Sequence, residues 1–155
     1  MDSEKEFLSS YNKNEYEKPS VAVDLLVFTV KDDRLKIVLV RRSEHPFKDM
    51  LSLPGVFVGI NETLDEAAAR GAREEAGLAD IYFEQLYTWG DIDRDPRMRI
   101  ISVSYLSLTP AEKLTLSAGS RTSSAELYDV EGLLSSDEEL AFDHRRIIEY
   151  GRERI

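Results

Sequence analysis

Two adjacent glutamates, Glu74 and Glu75, stand in the last turn of an alanine-rich segment. The helix macrodipole disfavours anions there by roughly 0.3–1 kcal/mol each. A bound divalent cation reverses that sign and turns paired carboxylates into hard oxygen ligands. In isolation the same pair reads as two solvated charges beside Arg73, so the neighbouring residues must decide. Arg41 and Arg42, at the end of an apolar run, could meet a diphosphate bidentately. Side chains alternate along a strand, so only one of the two can face a given side. The pair reads equally well as solvated edge charges. Phe47, Trp89 and Tyr105 have the size to stack on a base, but such residues are more often plain core. Asp93-Arg94-Asp95-Pro96-Arg97 reads as a self-paired turn that fixes a loop, and His144 as a structural residue just inside a helix.

The glutamates need a helix to carry them. Thr63 with Glu66 three residues later forms a capping box, which starts that helix near Leu64. Alanines at 67, 68, 69, 72 and 76 favour it and let it pack closely, and Gly77 suits a left-handed terminus. Around it the β-branched, apolar run 21–30 and its partner 35–42 predict a hairpin through a polar turn. A loop follows over 43–50. Strands are expected over 81–89 and 99–108, separated by a charged turn, and over 125–130. The tail 142–155 reads as a helix with Asp143 as N-cap and Ile147, Ile148, Gly151 and Ile155 on one face. Mostly strands, with one helix in the middle and one at the end, predict an α+β fold. Residues 1–18 read as a polar leader. In it Phe7 and Tyr11, at i and i+4, suit a helical turn docked on the domain or on a partner subunit; a disordered leader is the other reading. The folded body is expected over 19–155.

At 155 residues, with 42% hydrophobic and 9% aromatic residues, the chain has the makings of one globular domain. It has no cysteine, which excludes disulfides and thiolate metal sites. No apolar run approaches the roughly 20 residues of a membrane span, and the acidic N-terminus does not resemble a signal peptide. A cytoplasmic protein is expected. The formal charge of −10, without a basic cluster, argues against direct nucleic-acid binding by this chain. An acidic protein that handles an anionic ligand needs local cations, either a metal ion or a few placed arginines.

The stretch 53–78, LPGVFVGINETLDEAAARGAREEAGL, resembles the Nudix box: Gly, five residues, Glu, seven residues, then Arg-Glu-aliphatic-any-Glu-Glu-any-Gly-aliphatic. Glu62, Arg70, Glu74, Glu75, Gly77 and Leu78 fall in register without gaps, after Leu53-Pro54-Gly55. Flanking segments, among them Val40-Arg41-Arg42, Glu84-Gln85-Leu86-Tyr87-Thr88-Trp89-Gly90-Asp91 and Leu140-Ala141-Phe142-Asp143-His144, are similar to one branch of that family. It holds ADP-ribose pyrophosphatases and Nudix-type transcriptional regulators. The resemblance implies a Nudix fold, a mixed β-sheet sandwiched between helices (α/β/α). It implies Mg2+ or Mn2+ held by Glu74 and Glu75 as catalytic metal ligands. Glu62 and Arg70 would form a supporting ion pair, and Arg41, Arg42, Gly55 and Phe47 would contact the substrate. That substrate would be a nucleoside diphosphate derivative, ADP-ribose foremost. A homodimer is expected by analogy.

Two positions depart from the pattern: the box glycine falls on Val56, and the first glutamate of the Arg-Glu pair on Gly71. Positions 71, 74 and 75 share one helix edge, so one of three carboxylates is missing. Glycine inside a helix also costs about 1 kcal/mol against alanine, and the sequence alone offers no packing reason for it. Loss of a mere supporting partner typically costs about 10–100-fold in metal affinity or activity, so weakened hydrolysis is expected. The leading expectation is a hydrolase of nucleoside diphosphate derivatives. The alternative is an inactive, metabolite-sensing domain of a transcriptional regulator, in which a winged-helix segment would follow. This chain stops at Ile155, which is where such a segment would begin.

Overall fold

The β-branched run that opens the folded body becomes the central strand of a seven-stranded sheet. In the computed structural model, which describes residues 3–155, this strand is β1 (Ser20–Lys31). It is followed by β2 (Arg34–Arg42), β3 (Leu51–Ser52), β4 (Gly55–Phe57), β5 (Glu84–Trp89), β6 (Ile100–Leu108) and β7 (Thr122–Asp129). The helices are α1 (Ser3–Ser10), α2 (Leu64–Ala76), α3 (Val130–Leu134) and α4 (His144–Arg154). The sheet runs β3-β2-β1-β6-β5, with β4 joined to β1 and β7 to β2. β1 and β6 are parallel, from Ser20 opposite Ile100 to Phe28 opposite Leu108; the other ladders are antiparallel. The sheet is mixed, as expected.

Alternation along β1 sorts the core onto two faces. Val23, Leu25 and Val27 pack with Ala67, Ala68, Ala72 and Ala76 of α2. Leu26 and Phe28 pack with Val130 and Leu133 of α3 and Ile147 and Ile148 of α4. Helices therefore cover both faces, which is the α/β/α sandwich. The small side chains of α2 let its axis approach the sheet.

One feature of the sheet makes room for a site. β1 pairs with β2 only from Phe28 to Lys31. Further along, β1 pairs with β4, Asp24 opposite Gly55, while β2 pairs with β3, Arg41 opposite Leu51. The two strands diverge, and residues 51–57 cross the gap between them. Leu25 donates its N–H to the Pro54 carbonyl at 2.8 Å, which fixes this crossing.

Several expectations change. The strand expected over 81–89 begins at Glu84. The strand expected over 125–130 starts three residues earlier, and Val130 opens α3 instead, a short helix capped by Asp129, which accepts from the Gly132 N–H. Both β3 and β4 are too short for their pattern to show in sequence. The hairpin turn is Asp32-Asp33, both with positive φ (55° and 60°), as two-residue hairpins require. Helix α1 forms, with the Phe7 and Tyr11 rings 5.5 Å apart. It buries no residue, so it is not docked on its own domain; Met1 and Asp2 of the expected leader lie outside the described residues. Asp143 occupies the N-cap position of α4 but makes no capping bond, because its carboxylate is taken by Arg94. Among the described residues, no helix is long and apolar enough to cross a membrane.

Candidate active site

Helix α2 begins and ends as its residues dictate. The Glu66 N–H donates to Thr63 Oγ1 and the Thr63 N–H to Glu66 Oε1, both at 3.1 Å. Gly77 closes the helix in the left-handed region, φ 72°. Between these ends Arg70 is a hub. Its Nε and Nη2 meet Glu62 Oε1 and Oε2 at 3.0 and 2.7 Å, its Nη2 also reaches the Phe57 carbonyl at 2.7 Å, and its Nη1 meets Glu74 Oε2 at 3.0 Å. Glu62 in turn accepts from the Gly59 N–H at 2.7 Å. The loop before α2 is thereby tied to the helix face. With Arg70 beside it and an amide donating to it, the Glu62 carboxyl is held at about 2, below its ordinary 4.5.

Glu75 points into a cleft where β1 and β2 part. Its walls include Arg42, Arg97, Arg121 and Phe142; Asp24, Gly55, Val56, Arg94 and His144 also line it. Burial pushes the Glu75 carboxyl above its ordinary range; Arg121 and Arg42 pull it down, while Glu74 and Glu44 add like charge. Arg42 lies over the Phe142 ring, 5.0 Å from its centroid, and Arg97 stacks on Phe57 at 5.2 Å. Arg42 donates Nε to the Pro46 carbonyl at 2.7 Å. Burial and the charge of Arg97 both push its guanidinium below its ordinary value.

A buried polar network backs the cleft. Asp24 accepts from Ser102 at 2.5 Å and lies 3.6 Å from Arg94, which forks onto Asp143 at 3.0 and 2.7 Å. His144 Nδ1 accepts the Leu53 N–H at 3.0 Å, so that nitrogen carries no proton, and Nε2 faces Asp24 at 3.4 Å. Burial alone would raise the Asp24 carboxyl, but His144, Ser102 and Arg94 outweigh it and the net shift is downward.

The two sequence departures touch each other. Gly71 is buried in α2, and a Cβ there would lie 3.1 Å from Val56 Cγ2 and 3.4 Å from Leu25 Cδ1. The side chain gained at 56 thus fills space beside the one lost at 71. This supplies the packing reason for glycine that the sequence alone did not reveal. Glu74 stands at the rim, its side chain about half exposed (52%) and bonded to Arg70.

Of the residues expected to contact a substrate, Arg42 and Gly55 line the cleft and Arg41 and Phe47 do not. Alternation turns Arg41 away, where it donates to the Asp49 carbonyl at 2.8 Å. Phe47 packs behind Phe142, ring centroids 4.7 Å apart, and lends support from outside. Trp89 and Tyr105 are buried in the two cores. The turn at 93–97 pairs with itself only through Asp95 and Arg97, at 2.9 Å, since Arg94 reaches across to Asp143. Sequence reasoning missed Asp24, Arg97, Arg121 and Phe142 as cleft residues. For Asp24 a signal existed: it is a lone carboxylate in an otherwise apolar strand run. Arg121 carried none, because only tertiary packing brings its loop to the end of α2.

A family model described as NUDIX domain matches residues 18–151. The chain is 40% identical over 134 residues to an ADP-ribose pyrophosphatase of Methanocaldococcus jannaschii, covering 86% of this chain and 73% of that one. It is 32% identical over 155 residues to the ADPR responsive transcriptional repressor NtrR of Acinetobacter baylyi, covering 99% of this chain but spanning only 61% of the repressor. Among solved structures, the NUDIX domain of Shewanella oneidensis NrtR complexed with ADP ribose superposes with a TM-score of 0.89 at 32% identity, covering 99% of each chain. A bifunctional NMN adenylyltransferase/ADP ribose pyrophosphatase from Francisella tularensis, at 22% identity and a TM-score of 0.74 over 97% of this chain and 44% of that one, shares the fold. With the box in register on α2 and these relatives covering nearly its whole length, the chain belongs to the Nudix family.

Proposed function

We propose that this chain is a Nudix pyrophosphohydrolase domain acting on a nucleoside diphosphate derivative of the ADP-ribose class, with turnover weakened by the loss of one carboxylate. The observation that carries this reading is the cleft itself: Glu75 sits half-buried at the end of α2, in a cleft that arginines 42, 97 and 121 also line. A diphosphate suits that charge pattern. ADP-ribose is favoured because it is named for both the archaeal pyrophosphatase and the solved NrtR domain. The absence of cysteine fits a reducing cytoplasm.

The donor set fits a divalent ion only thinly. Gly71 contributes no carboxylate, Glu74 is already bonded to Arg70, and among the described residues no group of three or more His, Cys, Asp or Glu could hold a metal. Mg2+ is commonly held by one or two carboxylates plus substrate phosphates and water, so Glu74 and Glu75 would hold it together with the ligand. Such an ion, when bound, neutralises the diphosphate and favours attack of water on phosphorus. Hydrolysis of ADP-ribose in Mg2+, followed by the appearance of AMP, tests this reading. Slow turnover is expected, with a further loss of about 100-fold or more in Glu75→Gln. Turnover unchanged in that variant overturns it.

A second reading, a domain that binds the metabolite without cleaving it, is favoured by one observation, the Val56 side chain packed where a side chain at 71 would emerge. Tight binding of ADP-ribose with no AMP formed would select it.

A further inference from the structure

Arg121 reaches the cleft from a loop tied to the carbonyl end of α2. Ser117 donates its N–H to the Ala76 carbonyl at 3.0 Å, Thr122 Oγ1 reaches the Glu75 carbonyl at 3.3 Å, and the Gly119 N–H donates back to Thr122 Oγ1 at 2.8 Å. The loop can run this close only because residue 119 is glycine, since a Cβ there would stand 1.8 Å from the Glu74 carbonyl oxygen. Arg121 is thus carried by the same helix end that carries Glu75. Its carbonyl accepts the Ser43 N–H at 3.2 Å, while among the described residues its guanidinium makes no hydrogen bond and has no carboxylate within 4 Å.

Arg42 stands beside this loop, opposite Thr122 in the β2–β7 ladder. It spends only Nε, on the Pro46 carbonyl, and leaves both terminal nitrogens without a partner among the described residues. The other cleft arginines are already neutralised: Arg94 forks onto Asp143, and Arg97 onto Asp95. Glu44 and Glu75 face Arg42. These are the counter-charges an incoming anion must displace.

We infer that Arg42 and Arg121 clamp the ligand's diphosphate directly, so that binding does not require a divalent cation. A guanidinium offers a planar fork of donors that matches phosphate oxygens, and two such forks reach one cleft from the adjacent ends of β2 and β7. The carboxylates that would otherwise recruit a cation are depleted at 71 and engaged at 74. The inference rests on the functional reading above for the identity of the ligand, and it separates binding from the metal-assisted chemistry.

The test is calorimetric titration of the full chain with ADP-ribose whose bridging diphosphate oxygen is replaced by methylene, which prevents cleavage. It is done once with EDTA and once with Mg2+. Dissociation constants that agree within about threefold are expected. In EDTA, Arg121→Gln should weaken binding by about tenfold or more, as expected for a lost charge-assisted hydrogen bond, and Arg121→Lys should recover part of it. Glu75→Gln should bind as well as or better than the parent, where a metal-bridged ligand would be lost. Binding seen only in Mg2+ overturns the inference and leaves the functional reading standing; binding in neither buffer overturns both. An Arg121→Gln protein that melts normally and binds like the parent also defeats the clamp.

Discussion

Val56 and Gly71 are separate departures in the sequence and a single contact in the fold. Because a Cβ at 71 would press on Val56 Cγ2 at 3.1 Å, the two positions are expected to be energetically coupled. Gly71→Glu alone overpacks the face of α2 and brings a carboxylate against Leu25, at a cost of about 1–3 kcal/mol or more. Val56→Gly alone forfeits a buried side chain, at about 1.5–3 kcal/mol. The double variant should be less destabilised than the sum of the two by about 1 kcal/mol or more, measured as a double-mutant cycle by urea unfolding. Strict additivity would refute the coupling. The motif was legible in sequence because its spacing is fixed by one helix. The coupling was not, since positions 56 and 71 meet only through the pairing of β4 with β1 and the docking of α2.

Helix α2 and the loop before it show how a local element is held for use. Thr63 and Glu66 were readable as a cap, and Glu62 with Arg70 as a pair, because each partner lies within one turn or one loop of the other. Their ion pair has a pH signature. The folded-state Glu62 carboxyl sits at about 2, below its ordinary 4.5, through Arg70 and the Gly59 amide. A depressed carboxyl stabilises the fold fully above the ordinary value, and that contribution is lost as pH falls through the folded one. The stability margin of the parent over Glu62→Gln should therefore be constant above pH about 5 and shrink towards pH about 2. Denaturant melts across that range decide it; a margin independent of pH would assign the pair no role in stability. Arg121 belongs to the opposite case. Its loop follows a 3-10 turn at Ala111–Lys113 and has no periodicity of its own, so its position depends on the α2 carbonyls the loop satisfies and on the Ser43 N–H that the Arg121 carbonyl accepts.

At the scale of the whole molecule, the two-faced core was legible from the apolar runs, and the polar tie between its layers was not. Arg94, which read as part of a self-paired turn, instead bridges Asp24 of the sheet and Asp143 at the start of α4 with its side chain only 4% exposed. Arg94→Met would leave a buried carboxylate, Asp24, and a half-buried one, Asp143, without their cation and should cost about 3 kcal/mol, read by thermal or urea unfolding. A loss below 1 kcal/mol would show the bridge to be dispensable. The divergence of β1 and β2 has a consequence for kinetics. A groove framed by backbone hydrogen bonds, with Pro54 pinned to Leu25 and β4 laddered to β1, stands open before any guest arrives. Little interaction energy is then spent on ordering loops, so capture should be limited by encounter, and rim substitutions should change residence time more than arrival rate.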